Sequence, residues 1–201
     1  MCFVLEDPSI DTATIKHGGP ACTRCQSIVT FHPKHQQCII EHSSTPILFN
    51  PSIDRTLEPC GLCLHPMPLC KIYLRKTKGR AGNIAIDMRA SSCSNLVKFS
   101  ITVTAEFSDS SPCTNHPMCC LYCPDSSPAV WSYTFCEHLT RFHPTVSLED
   151  NETIWAVPGL EEEQMKKIWD DQLKPPLKAH RKAQHPPLVI SETHHTCLIL
   201  K

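Results

Sequence analysis

Apolar and polar positions alternate most regularly over Phe99-Ser-Ile101-Thr-Val103-Thr-Ala105-Glu-Phe107. Apolar side chains fall on one face and Ser, Thr, Thr and Glu on the other, which is the period of a half-buried strand. Ile72 and Leu74 alternate in the same way, as do Ile84, Ile86 and Met88. Between those two runs lies Lys76-Thr-Lys78-Gly79-Arg80-Ala-Gly82-Asn83, whose glycines suit the positive φ of a hairpin turn. The pattern predicts a three-stranded antiparallel meander with one apolar face, too few strands to stand alone.

Two helices are predicted beyond it. Ser127 can cap and Pro128 suits the first helical position, and Trp131, Phe135, His138, Leu139 and Phe142 then share a face. Leu160-Glu161-Glu162-Glu163 opens the second, its acidic first turn matching the helix dipole, with Met165, Ile168, Trp169 and Leu173 as an apolar packing stripe. Prolines at 46 and 51 make residues 43–57 read as a linker, and Pro175, Pro176, Pro186 and Pro187 mark a proline-rich tail. The chain thus divides into residues 1–57 (a Cys/His cluster and linker), 58–144 (a central metal-binding domain) and 145–201 (a helix and tail).

Composition explains how so little strand and helix could hold together. Only 6% of residues are aromatic, whereas there are 18 prolines, 14 cysteines and 12 histidines. Small modules with thin cores need metals or disulfides. The first residues lack a basic start and a leader-length apolar run, and nowhere is there an apolar stretch long enough to span a membrane. An intracellular location is expected, nuclear rather than cytoplasmic, where thiols stay reduced and Cys-x-x-Cys pairs take metal rather than form disulfides. The fold class expected is a small, metal-stabilised α+β protein with much irregular structure, and the cofactor expected is Zn²⁺.

Three constellations have ligand spacing. The clearest is Cys120-Leu-Tyr-Cys123, fourteen residues, then His138-Leu-Thr-Arg-Phe-His143: a knuckle pair followed by a helical pair, as tetrahedral zinc requires. Phe135 sits three residues before His138, where a finger core residue belongs, but the gap is longer than usual and the helix is expected to start early. Base-reading positions would then be Trp131, Thr134 and Glu137, with no arginine among them. The second is Cys60-Gly-Leu-Cys63, completed by two of Cys70, Cys93, Cys113 and His116; Cys93 and Cys113, at ends of the meander, are the pair chosen. The third is Cys22-x-x-Cys25 with Cys38 and His42, although no clear helix carries the last two and His35 competes for the fourth place.

These motifs, from Glu58-Pro-Cys60-Gly-Leu-Cys63 and Cys70 through Ser110-Ser-Pro-Cys113, Cys120-x-x-Cys123-Pro and Pro128-Ala-Val-Trp131 to His138 and His143, resemble uncharacterised zinc-finger proteins of mushroom-forming fungi. The resemblance covers residues 58–144, and more loosely the Trp169 helix and Ile190–His194; it implies a finger-like domain without an established activity.

Net charge is −1, so any nucleic-acid surface must be local. Its candidates are Arg75, Lys76, Lys78 and Arg80 at the hairpin, suited to sequence-independent phosphate contact with DNA or RNA. No His-Glu-x-x-His, phosphate loop or Gly-x-Ser-x-Gly is present, so an enzyme is not expected. The function expected is a zinc-finger module that binds nucleic acid; the alternative is a protein-interaction scaffold. Neither a small-molecule substrate nor a membrane partner is expected.

Overall fold

The computed structural model describes residues 21–22, 29–31, 36–77 and 84–174. Cys25, Lys78, Arg80 and the proline-rich tail lie outside them. Within them the chain is α+β, with helices and three separate two-stranded antiparallel sheets. In chain order the regular elements are β1 (Ala21–Cys22), β2 (Val29–Thr30), α1 (Gln36–Phe49), β3 (Leu74–Lys76), β4 (Ile84–Ile86), α2 (Ile101–Thr104), β5 (Pro117–Met118), β6 (Val130–Trp131), α3 (Phe135–Phe142) and α4 (Gly159–Leu173).

The hairpin at β3 and β4 forms as expected, with Leu74 opposite Ile86, Arg75 opposite Ala85 and Lys76 opposite Ile84. The third strand of the meander does not form. Ser100 instead caps a short helix, its hydroxyl accepting from the Val103 N–H at 3.4 Å. That turn buries Thr104 and exposes Val103 (2% and 65% accessible), the reverse of the alternating pattern. A local cap and the docking of Thr104, whose hydroxyl donates to Gln37 Oε1 at 3.3 Å, outweigh the period of two.

The segment read as a linker, residues 43–57, begins inside the most buried of the described helices. In α1 every residue from Ile39 to Ile47 is buried, Pro46 included. Pro46 has no N–H for the His42 carbonyl, so that acceptor is served by the Thr45 hydroxyl at 3.2 Å and by Gln172 Nε2 of α4 at 3.4 Å. Two further polar side chains of α1, Ser43 and Ser44, are matched at a distance. Ser43 Oγ donates to the Leu62 carbonyl at 3.1 Å, and Asn115 Nδ2 donates to Ser44 Oγ at 2.8 Å.

One core collects Phe31, Ile39, Ile40, Ile47, Leu62, Ile72, Ile86, Trp131, Tyr133 and Met165, so residues from all three stretches delimited above enter it. Of the α4 stripe, Met165 is fully buried and Ile168 packs on this core, while Leu173 is 63% exposed. The first turn of α4 is more than a dipole match. Glu161 is fully buried, and its carboxylate accepts from the Thr114 N–H at 2.7 Å, the Thr114 hydroxyl at 2.8 Å and the Tyr133 hydroxyl. A smaller core of Cys120, Val130, Phe135 and Leu139, lined by Met118, Ile154 and Trp155, lies under α3. No described helix is long and apolar enough to cross a membrane.

Candidate metal centres

Two groups of ligand-type side chains converge among the described residues. In each, all four donor atoms lie within 4.8 Å of one another: Cys60, Cys63, Cys70 and Cys93, and Cys120, Cys123, His138 and His143.

The mixed group is built on β5 and β6. Pairing of Pro117 with Trp131 and of Met118 with Val130 closes a loop that carries Cys120 and Cys123. A single 3₁₀ turn, Ser132–Thr134, leads into α3, so the helix begins at Phe135 and not at Pro128 as the proline rule predicts. Val130 and Trp131 are needed as strand, and burial of both decides the matter. A spacing of five positions would place the two histidines about 140° apart on a continuing helix. The helix ends at Phe142, and His143, with φ −135°, swings back beneath His138 while its N–H still bonds to the Leu139 carbonyl at 2.8 Å. Pro144 prevents continuation. Cys123 Sγ lies 3.3 Å from His138 Nε2 and 3.1 Å from His143 Nε2. Around a tetrahedral zinc, sulfur and nitrogen ligands stand about 3.5 Å apart, so the donors fit within a few tenths of an ångström. Burial, and then the charge of Cys120, push the Cys123 thiol up to about 11.

A residue that the sequence reading quoted in a motif but gave no role completes this site. Glu58 is buried (5% accessible), and its carboxylate accepts a hydrogen bond from His138 Nδ1. The ring is thereby oriented with Nε2 toward the cysteines, the arrangement by which an outer carboxylate fixes a metal-binding histidine. Glu58 has φ 51°, in the left-handed region, so spacing from His138 gave no hint of the contact.

The four-cysteine group combines a knuckle with two residues that flank an isolated β-bridge. Leu64 N–H bonds to the Cys60 carbonyl at 2.8 Å, Leu64 takes φ 60°, and the Leu62 N–H points at Cys60 Sγ from 3.4 Å. The bridge between Lys71 and Ser92 sets their neighbours Cys70 and Cys93 side by side. Cys60 Sγ and Cys93 Sγ are 3.9 Å apart, against about 3.8 Å for two thiolates on one zinc. Burial pushes the Cys60 thiol well up, while a hydrogen bond from Cys60, then those from Cys70 and Cys93, hold Cys63 far below the usual thiol range. Four thiols so close cannot all ionise unless a cation joins them.

Cys70 therefore takes the place expected for Cys113. Cys113 is fully buried elsewhere, 3.6 Å from the Tyr133 hydroxyl, and burial pushes its thiol up to about 12. His116 is not in the group either; its Nδ1 lies 2.7 Å from the Thr114 carbonyl. Of the third constellation, Cys22 lies on β1 and both Cys38 and His42 lie on α1, which corrects the expectation that no helix carries them. Cys25 falls outside the described residues.

The positions assigned to base reading are occupied, and only Glu137 of the three lies on α3. Trp131 and Thr134 are buried, and Glu137 pairs with Arg55 Nε at 2.8 Å. Arg141 Nη1 donates to the Thr56 carbonyl at 3.0 Å, so the segment before Cys60 lies along α3. At the hairpin, Arg75 and Lys76 are exposed as expected. No protein-family model, curated protein or solved structure matches the chain.

Proposed function

We propose that the protein is a binding module held together by structural zinc, one ion in the four-cysteine group and one in the Cys-Cys-His-His group. The observation that carries this reading is the convergence of two complete donor sets, each four protein ligands and each within 4.8 Å. Closed four-ligand shells leave no position for water or substrate, which favours structural over catalytic metal and a non-enzymatic role. A hairpin whose loop carries the knuckle, followed by a helix, supports a zinc finger of the two-cysteine, two-histidine type. The likeness to fungal zinc-finger proteins rests on the motifs themselves.

For the partner, we favour nucleic acid bound without base reading, in keeping with a nuclear location. The buried Trp131 and Thr134 and the paired Glu137 argue against a recognition helix. The exposed Arg75 and Lys76 supply phosphate contacts, and Lys78 and Arg80 follow them closely in the sequence. The second reading, a protein scaffold, is favoured by exposed Leu121 and Phe142 beside the finger (88% and 51%). Titration of the full, zinc-loaded chain with random-sequence duplex at two salt concentrations separates them. The nucleic-acid reading requires a steep salt slope that Arg75→Glu with Lys76→Glu reduces, and absence of binding at low salt removes it.

A further inference from the structure

The two metal groups share one short piece of chain. Asp54 Oδ1 accepts from the Thr56 N–H at 2.9 Å and starts a 3₁₀ turn over Arg55–Leu57. Glu58 closes that turn, its N–H bonding to the Arg55 carbonyl at 3.0 Å. Two residues later Cys60 begins the four-cysteine knuckle, and the Met67 N–H, beyond that knuckle, bonds back to the Leu57 carbonyl at 3.1 Å. The peptide that joins Leu57 to Glu58 is thus held from the four-cysteine side, at the Leu57 carbonyl. The Glu58 side chain belongs to the other site, through His138 Nδ1.

The same segment meets α3 at three points: Arg55 with Glu137, Thr56 with Arg141, and Glu58 with His138. A left-handed φ is unfavourable for a glutamate, so the surroundings must hold it. Closure of the turn at Arg55, the His138 contact and the Met67–Leu57 bond from beyond the knuckle bracket that residue.

We infer that Glu58 is the positioning residue for His138, and that through it loading of the four-cysteine site raises metal affinity at the Cys-Cys-His-His site. The inference rests on the reading of both groups as metal sites. Linkage then makes the effect reciprocal: each ion tightens the other by the same factor.

The test uses the full chain, stripped of metal under reducing conditions and titrated with Co²⁺ against a competing chelator. Visible bands separate a four-sulfur site from a two-sulfur, two-nitrogen site. Glu58→Gln, which keeps an acceptor but loses the charge, is expected to weaken the mixed site about 10-fold. Glu58→Ala should weaken it by up to about 100-fold, the range for outer-shell partners of metal ligands. Both should leave the four-sulfur site's intrinsic spectrum unchanged. Glu58→Ala with mixed-site affinity within twofold of wild type overturns the positioning role.

For the coupling, Cys63→Ser should weaken the mixed site at least fivefold in the wild-type background and much less in Glu58→Ala. An equal effect in both backgrounds overturns it. If Cys63→Ser does not fold, the reciprocal arm decides: Cys123→Ser should weaken the four-sulfur site by a similar factor, and an unchanged affinity there overturns the coupling. Two sites that fill independently would sink this inference alone, whereas failure of both to bind Co²⁺ would sink the metal reading itself.

Discussion

The benzo ring of Trp131 lies directly over the α-carbon of Gly61, so close that a β-carbon there would sit 2.4 Å from Trp131 Cε3. This contact joins the four-cysteine knuckle to β6 of the mixed site, and Phe99 stacks on the same indole at 6.3 Å. Gly61 is needed for close approach. Gly61→Ala forces the ring or the knuckle to move, an overpacking cost of about 1–3 kcal/mol. Thermal melting of the zinc-loaded protein should fall by roughly 2–4 °C per kcal/mol for a chain of this size. In a double-mutant cycle, Trp131→Ala should remove most of the penalty; an additive cycle would show that the indole is not what the alanine meets.

Cys70 and Cys113 make opposite predictions. Cys70→Ser should remove one equivalent of zinc, because the serine oxygen cannot replace a thiolate in a four-sulfur shell. Cys113→Ser should leave zinc content unchanged, since Cys113 sits by Tyr133 outside both groups. Elemental analysis of the two variants beside wild type decides which cysteine completes the knuckle.

Glu161 should matter out of proportion to its place in an acidic helix start. Its carboxylate accepts from the Thr114 N–H, the Thr114 hydroxyl and the Tyr133 hydroxyl in a site closed to solvent. Glu161→Ala leaves those donors unpaired, at a cost of about 2–4 kcal/mol. Glu161→Asp, which keeps the charge, should recover part of it. Amide exchange along α4 should accelerate in Glu161→Ala; protection equal to wild type would contradict the anchoring role.

Alkaline pH should test the burial of Cys113. Its thiol lies at about 12 in the fold against an ordinary value of 9.0. The folded state therefore keeps a proton that the unfolded chain gives up. This stabilisation is present below pH 9 and declines as pH rises toward 12, by up to about 1.4 kcal/mol per pH unit. Denaturant midpoints of Cys113→Ala should fall less steeply over that window than those of wild type. Parallel slopes would mean that the thiol ionises in the fold as easily as in water.

Legibility from sequence followed the range of the interaction. Cys120, Cys123, His138 and His143 are readable because a knuckle, a helix and the turn that ends it place ligands by local geometry, and Phe135 follows with them. The hairpin at Leu74 and Ile86 was equally plain, since its alternation, turn and packing agree. Choosing Cys70 over Cys113 required the Lys71–Ser92 register, which a turn over residues 88–90 shifts away from that of the hairpin. Helix α1 is hidden by Ser43, Ser44, Thr45 and Pro46: Leu62 and Asn115 answer the two serines, and Gln172 answers the His42 carbonyl that Pro46 leaves open, all far along the chain. Glu58 was hidden for a similar reason: a left-handed turn aims it at a ring eighty residues away. The Phe99–Phe107 strand failed because alternation describes a face, and no strand edge pairs with it among the described residues.

The central claim is that two separate four-ligand groups hold metal. Zinc measured on the purified full chain, with Cys70→Ser and Cys123→Ser beside it, tests this most directly. Each variant should lose one equivalent relative to wild type, and the double variant two. Any further equivalent held by Cys22, Cys25, Cys38 and His42 would persist in all three. Wild-type protein without zinc, or variants that keep the full wild-type content, would contradict the account.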